Sequence, residues 1–289
     1  MAVNIGTSPG RHHGPNGSFV GRRSPILRPV KGLLIVNPRS GRGGPDPEEL
    51  VAESRRLGIE THVLRPGDDA AEIARASEAE ALGMAGGDGS LAPVAEVALD
   101  RGVPFVCIPF GTRNHFARDL GLDRDDPIAA LRAFAGSECR IDVGRADERL
   151  FLNNVSLGVY ARLVHRRERH RRRRVAFARV RAWAIVLTHR EPLGITIDGD
   201  PVESRIVLVA NNAYALDLPS LGERERLDEG QLHLYMPGDE RTARSFLIDA
   251  AAGRLEAAVD GEPDVLETPI EFRIEPRALR VLVPPYEPQ

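Results

Sequence analysis

The 289-residue chain is 42% hydrophobic and 28% charged, with 28 Gly and 22 Pro, which fits a folded protein of one large or two ordinary domains and excludes a disordered or collagen-like chain. Its formal net charge is −3, yet residues 165–181 hold nine Arg against one Glu; +8 there leaves −11 elsewhere, an asymmetry that points to an anionic partner. Lys31 is the one lysine, no G-x-x-x-x-G-K-[ST] occurs, and no apolar run approaches the roughly eighteen residues that cross a bilayer as a helix, so lysine-dependent mechanisms such as P-loop and Schiff-base chemistry are thinned and any phosphate site must use backbone amides and arginine.

Residues 1–28 are rich in Gly, Pro, Ser, His and Arg and read as a disordered tail without the apolar core of a secretion signal, so a cytoplasmic location is expected. From Lys31 the pattern is strand, loop, helix. Leu33-Leu34-Ile35-Val36 leads into the turn-rich Asn37 to Gly44 and a helix over Pro47 to Leu57. Ile59 to Leu64 alternates as a strand, Asp69 to Ala79 reads as an Ala-rich helix, and Ala81 to Ala85 is a strand entering Gly86-Gly87-Asp88-Gly89-Ser90 before a helix over Leu91 to Leu99. Strand Pro104 to Ile108 precedes Pro109-Phe110-Gly111-Thr112-Arg113-Asn114, another helical segment, and a helix from Pro127 to Ala135. Alternation at this spacing predicts a parallel sheet covered on both faces.

After Gly136 short alternating strands predict a second, mainly antiparallel β domain: Arg140 to Val143, Phe151 to Val155, Leu193 to Ile197, Ile206 to Ala210, Leu232 to Met236, Ile270 to Ile274 and Leu279 to Val283. Helices are expected over Val159 to Leu187 and Thr242 to Ala251. Cys107 and Cys139 lie in strand-like runs and read as reduced structural thiols.

Three glycine-bearing loops follow strands, so they open at the carboxyl edge of one sheet, where open α/β folds bind ligands. Gly86, Gly87 and Gly89 clear side chains from backbone N–H groups, and the next helix offers its positive dipole end to phosphate. Asp88 fits there if it orients Mg²⁺, directly or through water, or takes a proton from an attacking hydroxyl; as an isolated motif, Gly-Gly-Asp-Gly is equally a turn.

Asn37-Pro38-Arg39-Ser40-Gly41, Gly86-Gly87-Asp88-Gly89-Ser90 and Pro109 to Arg118 together resemble the diacylglycerol kinase catalytic domain shared by bacterial lipid kinases, sphingosine kinases and ceramide kinases. Asn153 to Gly158, Asn211-Asn212, Asp228-Glu229-Gly230, and Asp260-Gly261-Glu262 with Thr268-Pro269 extend it. The resemblance implies a three-layer nucleotide-binding α/β domain over 29–137, distantly like NAD kinases. It also implies a β-sandwich domain over 138–285, whose last segment is a candidate to return to the first domain, with ATP in the cleft between them. Asn37, Pro38, Ser40, Gly41, Gly86, Gly87, Asp88, Gly89, Ser90, Gly111, Thr112 and Asn114 would line the ATP site, with Asp88 tied to phosphate and Mg²⁺.

Asp260 and Glu262 match the motif that supplies the base, although Asp-Gly also favours a turn. Glu229 stands where some bacterial members hold a structural Mg²⁺. The stretch from Ala251 to Asp260 is short for the family, so a trimmed β domain is expected beside the base.

The reaction implied is transfer of the γ-phosphate of ATP to a lipid hydroxyl, diacylglycerol first among the candidates, with an NAD kinase-like enzyme or a non-catalytic nucleotide- or lipid-binding relative as alternatives. The Arg166–Arg174 run is expected to dock on an anionic membrane at the inner face of the cytoplasmic membrane rather than on a specific nucleic acid. A homodimer is left open.

Overall fold

The computed structural model describes residues 24–25, 30–40, 46–158, 192–215 and 222–285. In chain order its first half comprises β1 (Ser24–Pro25), β2 (Gly32–Val36), α1 (Pro47–Arg56), β3 (Glu60–Val63), α2 (Ala70–Ala76), β4 (Ala81–Gly86), α3 (Asp88–Asp100), β5 (Phe105–Pro109), α4 (His115–Asp119) and α5 (Pro127–Ala130), the last continued by a 3-10 turn over Leu131–Ala135. Aspartates start the helices where the sequence places them. Asp46 accepts the Glu48 N–H, Asp69 those of Ala71 and Glu72, and Asp126 that of Ala129. α3 begins at Asp88, inside the glycine loop, rather than at Leu91.

The second half comprises β6 (Ser137–Ala146), β7 (Arg149–Phe151), β8 (Asn154–Gly158), β9 (Ile195–Ile197), β10 (Asp200–Val202), β11 (Ile206–Asn211), β12 (Leu232–Met236), β13 (Asp239–Ala243), β14 (Ser245–Ala250), β15 (Arg254–Val259), β16 (Glu262–Glu267) and β17 (Ile270–Val283). One sheet runs β10-β9-β14-β17-β5-β4-β2-β3, with β6 beside β17; the other runs β13-β12-β11-β8-β15-β16.

β2 to β5 are parallel. Both faces of this half are covered, as the near-continuous apolar strands require. Leu33 and Ile35 pack with Ala74, Leu91 and Val94 on one side, and Leu34 and Val36 with Leu50, Ile59 and Phe134 on the other. The antiparallel half packs face to face: Val155, Leu157, Val207 and Val209 of one sheet meet Ile195, Phe246, Ile248 and Phe272 of the other.

β6 and β17 run through both halves. Ile270, Phe272 and Ile274 belong to the core between the sheets, whereas Leu279, Val281 and Val283 belong to the α/β core, where β17 lies parallel to β5. The expected pair of strands at Ile270 to Ile274 and Leu279 to Val283 is therefore a single strand with a bulge between Glu275 and Leu279. Buried Asp142 of β6 fills that bulge, accepting the Arg277 N–H at 2.7 Å and the Gly230 N–H at 2.6 Å.

Other expectations change. The helix read over Thr242 to Ala251 is two strands, β13 and β14; Phe246, Ile248 and Ala250 are buried while Ser245, Leu247 and Asp249 are exposed, a period of two that outweighs the helix preference of its alanine and leucine. The strand read over Phe151 to Val155 breaks at Leu152-Asn153 into β7 and β8. The segment before Asp260 carries β15, paired with β8 and β16. Of the tail, only Ser24–Pro25 is described, paired with Ser137 and Glu138. The helix read over Val159 to Leu187 and its arginines lie outside the described residues.

Candidate active site

The loops after β2, β4 and β5 lie side by side because their strands do. The Asn37 N–H donates to the Ala85 carbonyl at 2.9 Å and the Phe110 N–H to the Gly86 carbonyl at 3.2 Å. Glycine is demanded by contact: a Cβ on Gly111 would stand 2.5 Å from the Gly87 Cα, so the two loops meet backbone to backbone. Asn114, at φ +50°, fixes this loop from behind, its amide accepting from the Gly111 N–H at 2.8 Å and donating to the Gly111 carbonyl at 3.1 Å. Gly87 caps α3 without a side chain, so the first-turn amides of that helix and its dipole face the cleft.

Asp88, the first residue of α3, reaches across to α4. Its carboxylate accepts the His115 N–H at 3.1 Å and the Phe116 N–H at 2.9 Å, supplying the cap that Asn114 does not. The acid of the glycine loop thus ties two helix N-termini together.

On the opposite wall, Asp260 and Gly261 form the two-residue turn between β15 and β16, both at positive φ, as an Asp-Gly hairpin turn requires. The turn also lines the cleft, so the two readings of this motif describe one object. The Asp260 carboxylate is nearly buried and accepts three backbone N–H groups, from Leu152 at 2.8 Å, Asn153 at 2.7 Å and Asn154 at 3.1 Å. Burial pushes its pKa up to about 6 against the pull of those donors, and the negative charge of Asp88 adds to the rise. The Glu262 side chain lies over Gly89, where a Cβ would collide with it, so this second acid stands at the N-terminus of α3.

A buried Arg224 joins the walls. Its Nε lies 2.7 Å from Asp119 Oδ2 at the end of α4, and its Nη groups donate to the Leu152 and Asn211 carbonyls at 2.7 and 3.1 Å and to Asn153 Oδ1 at 2.6 Å. Tyr214 packs against this guanidinium and accepts a hydrogen bond from Asn154 Nδ2 at 2.8 Å; burial pushes its pKa to about 12.

The cleft is about 830 Å³. Asn37, Ser40, Gly87, Asp88, Gly89, Ser90, Gly111, Thr112, Asp260 and Glu262 all line it. Gly86 and Asn114 sit behind the lining, Pro38 does not line it, and Gly41 lies outside the described residues. Glu229 is not part of it either: its carboxylate accepts the Ala213 N–H at 3.0 Å and pairs with His233 at 3.3 Å. Among the described residues no group of three His, Cys, Asp or Glu side chains is placed to hold a metal ion.

Sequence reasoning missed Arg113, His115, Tyr214 and Tyr235, which also line the cleft, and Arg224 behind it. The alternation in β11 was a usable signal: Val207 and Val209 enter the core, leaving Ile206 and Leu208 to face the cleft.

Comparison with known proteins places this architecture. Residues 31–146 match the family model described as Diacylglycerol kinase catalytic domain, so the resemblance carried by the three loops holds for this segment. The chain is 32% identical over 135 residues to a probable lipid kinase YegS-like of Klebsiella pneumoniae (strain 342), covering 44% of each chain. It is 32% identical over 130 residues to a diacylglycerol kinase of Bacillus subtilis (strain 168), covering 42% of this chain and 43% of that one. The chain thus matches less than half the length of these curated relatives. A structure titled a putative diacylglycerol kinase from Bacillus anthracis str. Sterne superposes with a TM-score of 0.66 at 22% identity, over 89% of this chain and 97% of that one, which shows the fold to be shared.

Proposed function

We propose that this protein is an ATP-dependent lipid kinase that transfers the γ-phosphate to a lipid hydroxyl, diacylglycerol first among the candidates. One observation carries the reading: a single cleft sets an anion-binding helix N-terminus, with its glycine loops, against a pair of carboxylates, Asp260 and Glu262. Phosphoryl transfer needs alignment and charge neutralisation more than covalent help, and the two walls supply these separately.

The amides at the start of α3 and that of Thr112 bind the phosphates. Asp260 or Glu262 accepts the hydroxyl proton; with a pKa of about 6, Asp260 is ionised at neutral pH yet basic enough to serve, and such help is worth about 10²–10⁴-fold. Asp88, which lines the cleft at the start of α3, would hold Mg²⁺ together with phosphate oxygens and water, an ion that usually keeps several waters. When bound, the metal supplies charge neutralisation.

No helix among the described residues is long and apolar enough to cross a membrane. We place the enzyme in the cytoplasm, reaching lipid as a peripheral protein through the Arg166–Arg174 run, for which the local charge is the support.

The test is incubation with γ-labelled ATP, Mg²⁺ and a mixed lipid extract. Label moving to the organic phase as phosphatidic acid is the expected result. Label transferred to added NAD would replace the reading with a soluble-substrate kinase, and ATP binding without transfer would leave a non-catalytic relative.

A further inference from the structure

Asp88 and Asp260 stand on different halves of the molecule, and a continuous covalent and hydrogen-bonded path joins them through Arg224. Asp88 caps the first turn of α4, and Asp119 closes the same short helix. The Asp119 carboxylate takes Arg224 Nε on one oxygen, at 2.7 Å, and Arg118 Nε and Nη2 on the other, at 2.9 and 2.7 Å. Arg224 then grips the Leu152 carbonyl and Asn153 Oδ1, and the N–H groups of Leu152 and Asn153 are held by Asp260. Arg118 adds a parallel tie, its Nη2 donating to the Gly222 carbonyl at 2.7 Å on the segment that carries Arg224.

We propose that Arg224 is a positioning residue that sets the placement of Asp260 relative to the glycine loops. The proposal rests on the lipid kinase reading and goes beyond it by assigning a role to a residue that does not line the cleft. A fully buried ion pair contributes little net stability over an apolar pair of the same shape. What a guanidinium supplies instead is a rigid fork, and here each arm of the fork holds a different acceptor. The acceptors it holds include the peptide and side chain next to the donors of Asp260, so a shift of Arg224 moves the acid relative to the glycine loops.

The test is Arg224→Lys, which keeps a cation beside Asp119 but cannot hold all the acceptors. Arg145→Lys is its control: Arg145 is also buried, pairs with Glu96 and Glu275, and lies away from the cleft. Melting temperature, ATP affinity and kcat for transfer to 1,2-dioctanoylglycerol in mixed micelles are measured for both. The expected result is a kcat about 10²-fold below wild type for Arg224→Lys with ATP affinity unchanged, the size of loss that a misplacement of about 1 Å produces. Arg145→Lys is expected to keep the wild-type kcat at a similar melting temperature. Equal kcat in the two variants, or parallel loss of ATP binding and kcat in Arg224→Lys, overturns the positioning role. If Arg224→Lys does not fold, Asp119→Asn is read by the same two criteria. Absence of transfer by the wild type both to this lipid and to any component of a mixed lipid extract overturns the kinase reading itself, and this role with it.

Discussion

On the glycine-loop side of the cleft the surface is backbone: amides at the start of α3, the bare Cα atoms of Gly87 and Gly111, and an asparagine that works from behind. On the second-sheet side it is charge held in place by burial, with Asp260 gripping three N–H groups and Arg224 threaded beneath them. On the proposed reading the first wall holds the phosphates and the second carries the base. Binding and reaction therefore depend on different kinds of residue and should fail separately.

Asp88 starts α3 and caps α4 on the glycine-loop side, so Asp88→Ala should have the largest effect. Transfer should fall below detection, while loss of the α4 cap should cost about 1 kcal/mol and lower the melting temperature by only about 2–4 °C. Phosphorylation at the wild-type rate by that variant would remove the glycine loop from the mechanism.

Gly111→Ala tests the backbone wall alone. Its Cβ meets backbone that has nowhere to go, and strain of about 1–3 kcal/mol carried into the bound state corresponds to about 5- to 150-fold weaker ATP binding by calorimetry. Unchanged affinity would mean that nucleotide does not sit on these loops.

Gly89→Ala is the complementary probe, because the nearest atoms the new methyl meets belong to the Glu262 side chain rather than to backbone. The expected outcome is near-wild-type ATP binding and stability with kcat lowered about 10²-fold, the low end of what proton-transfer groups contribute. If ATP binding falls instead, Gly89 belongs to the binding wall.

The smallest effect is expected outside the cleft, at His233. Its pKa is raised by the hydrogen bond it donates to Glu229, so its contribution to stability is present below the ordinary histidine value and lost as pH rises through the raised one. Glu229 is lowered by the same partner, so its share is present above the ordinary glutamate value and lost as pH falls through the lowered one. His233→Gln should therefore lower the melting temperature slightly near pH 6, by the equivalent of about 0.5 kcal/mol for a partly exposed pair, and less near pH 9, with kcat unchanged.

The asymmetry between the walls also governs what could be read from the residues in order. Glycine loops announce themselves because the requirement is local: Gly86 to Ser90 sits between a buried strand and the helix it opens. Arg224 does not, since its meaning depends on Asp119, 105 positions away, in a chain where arginine is the default base. The same limit explains the misread strands. β17 passes from one core to the other at a bulge filled by Asp142, a partner 135 positions from Arg277, so from the residues alone the interruption looks like a break between two strands. β14 looks helical until the opposite sheet is there to bury Phe246 and Ile248. Asp260-Gly261-Glu262 was legible as a motif, but its three N–H donors come from a turn more than a hundred residues earlier.

The most direct test of the two-wall account is the pH dependence of single-turnover transfer from ATP to 1,2-dioctanoylglycerol by wild type and Asp260→Asn side by side. The acid must be ionised to take the hydroxyl proton, so wild-type transfer should fall as pH drops through about 6. Asp260→Asn should bind ATP normally, transfer about 10²–10⁴-fold more slowly, and lose that acid limb. Equal rates with the same limb in both proteins would contradict the account.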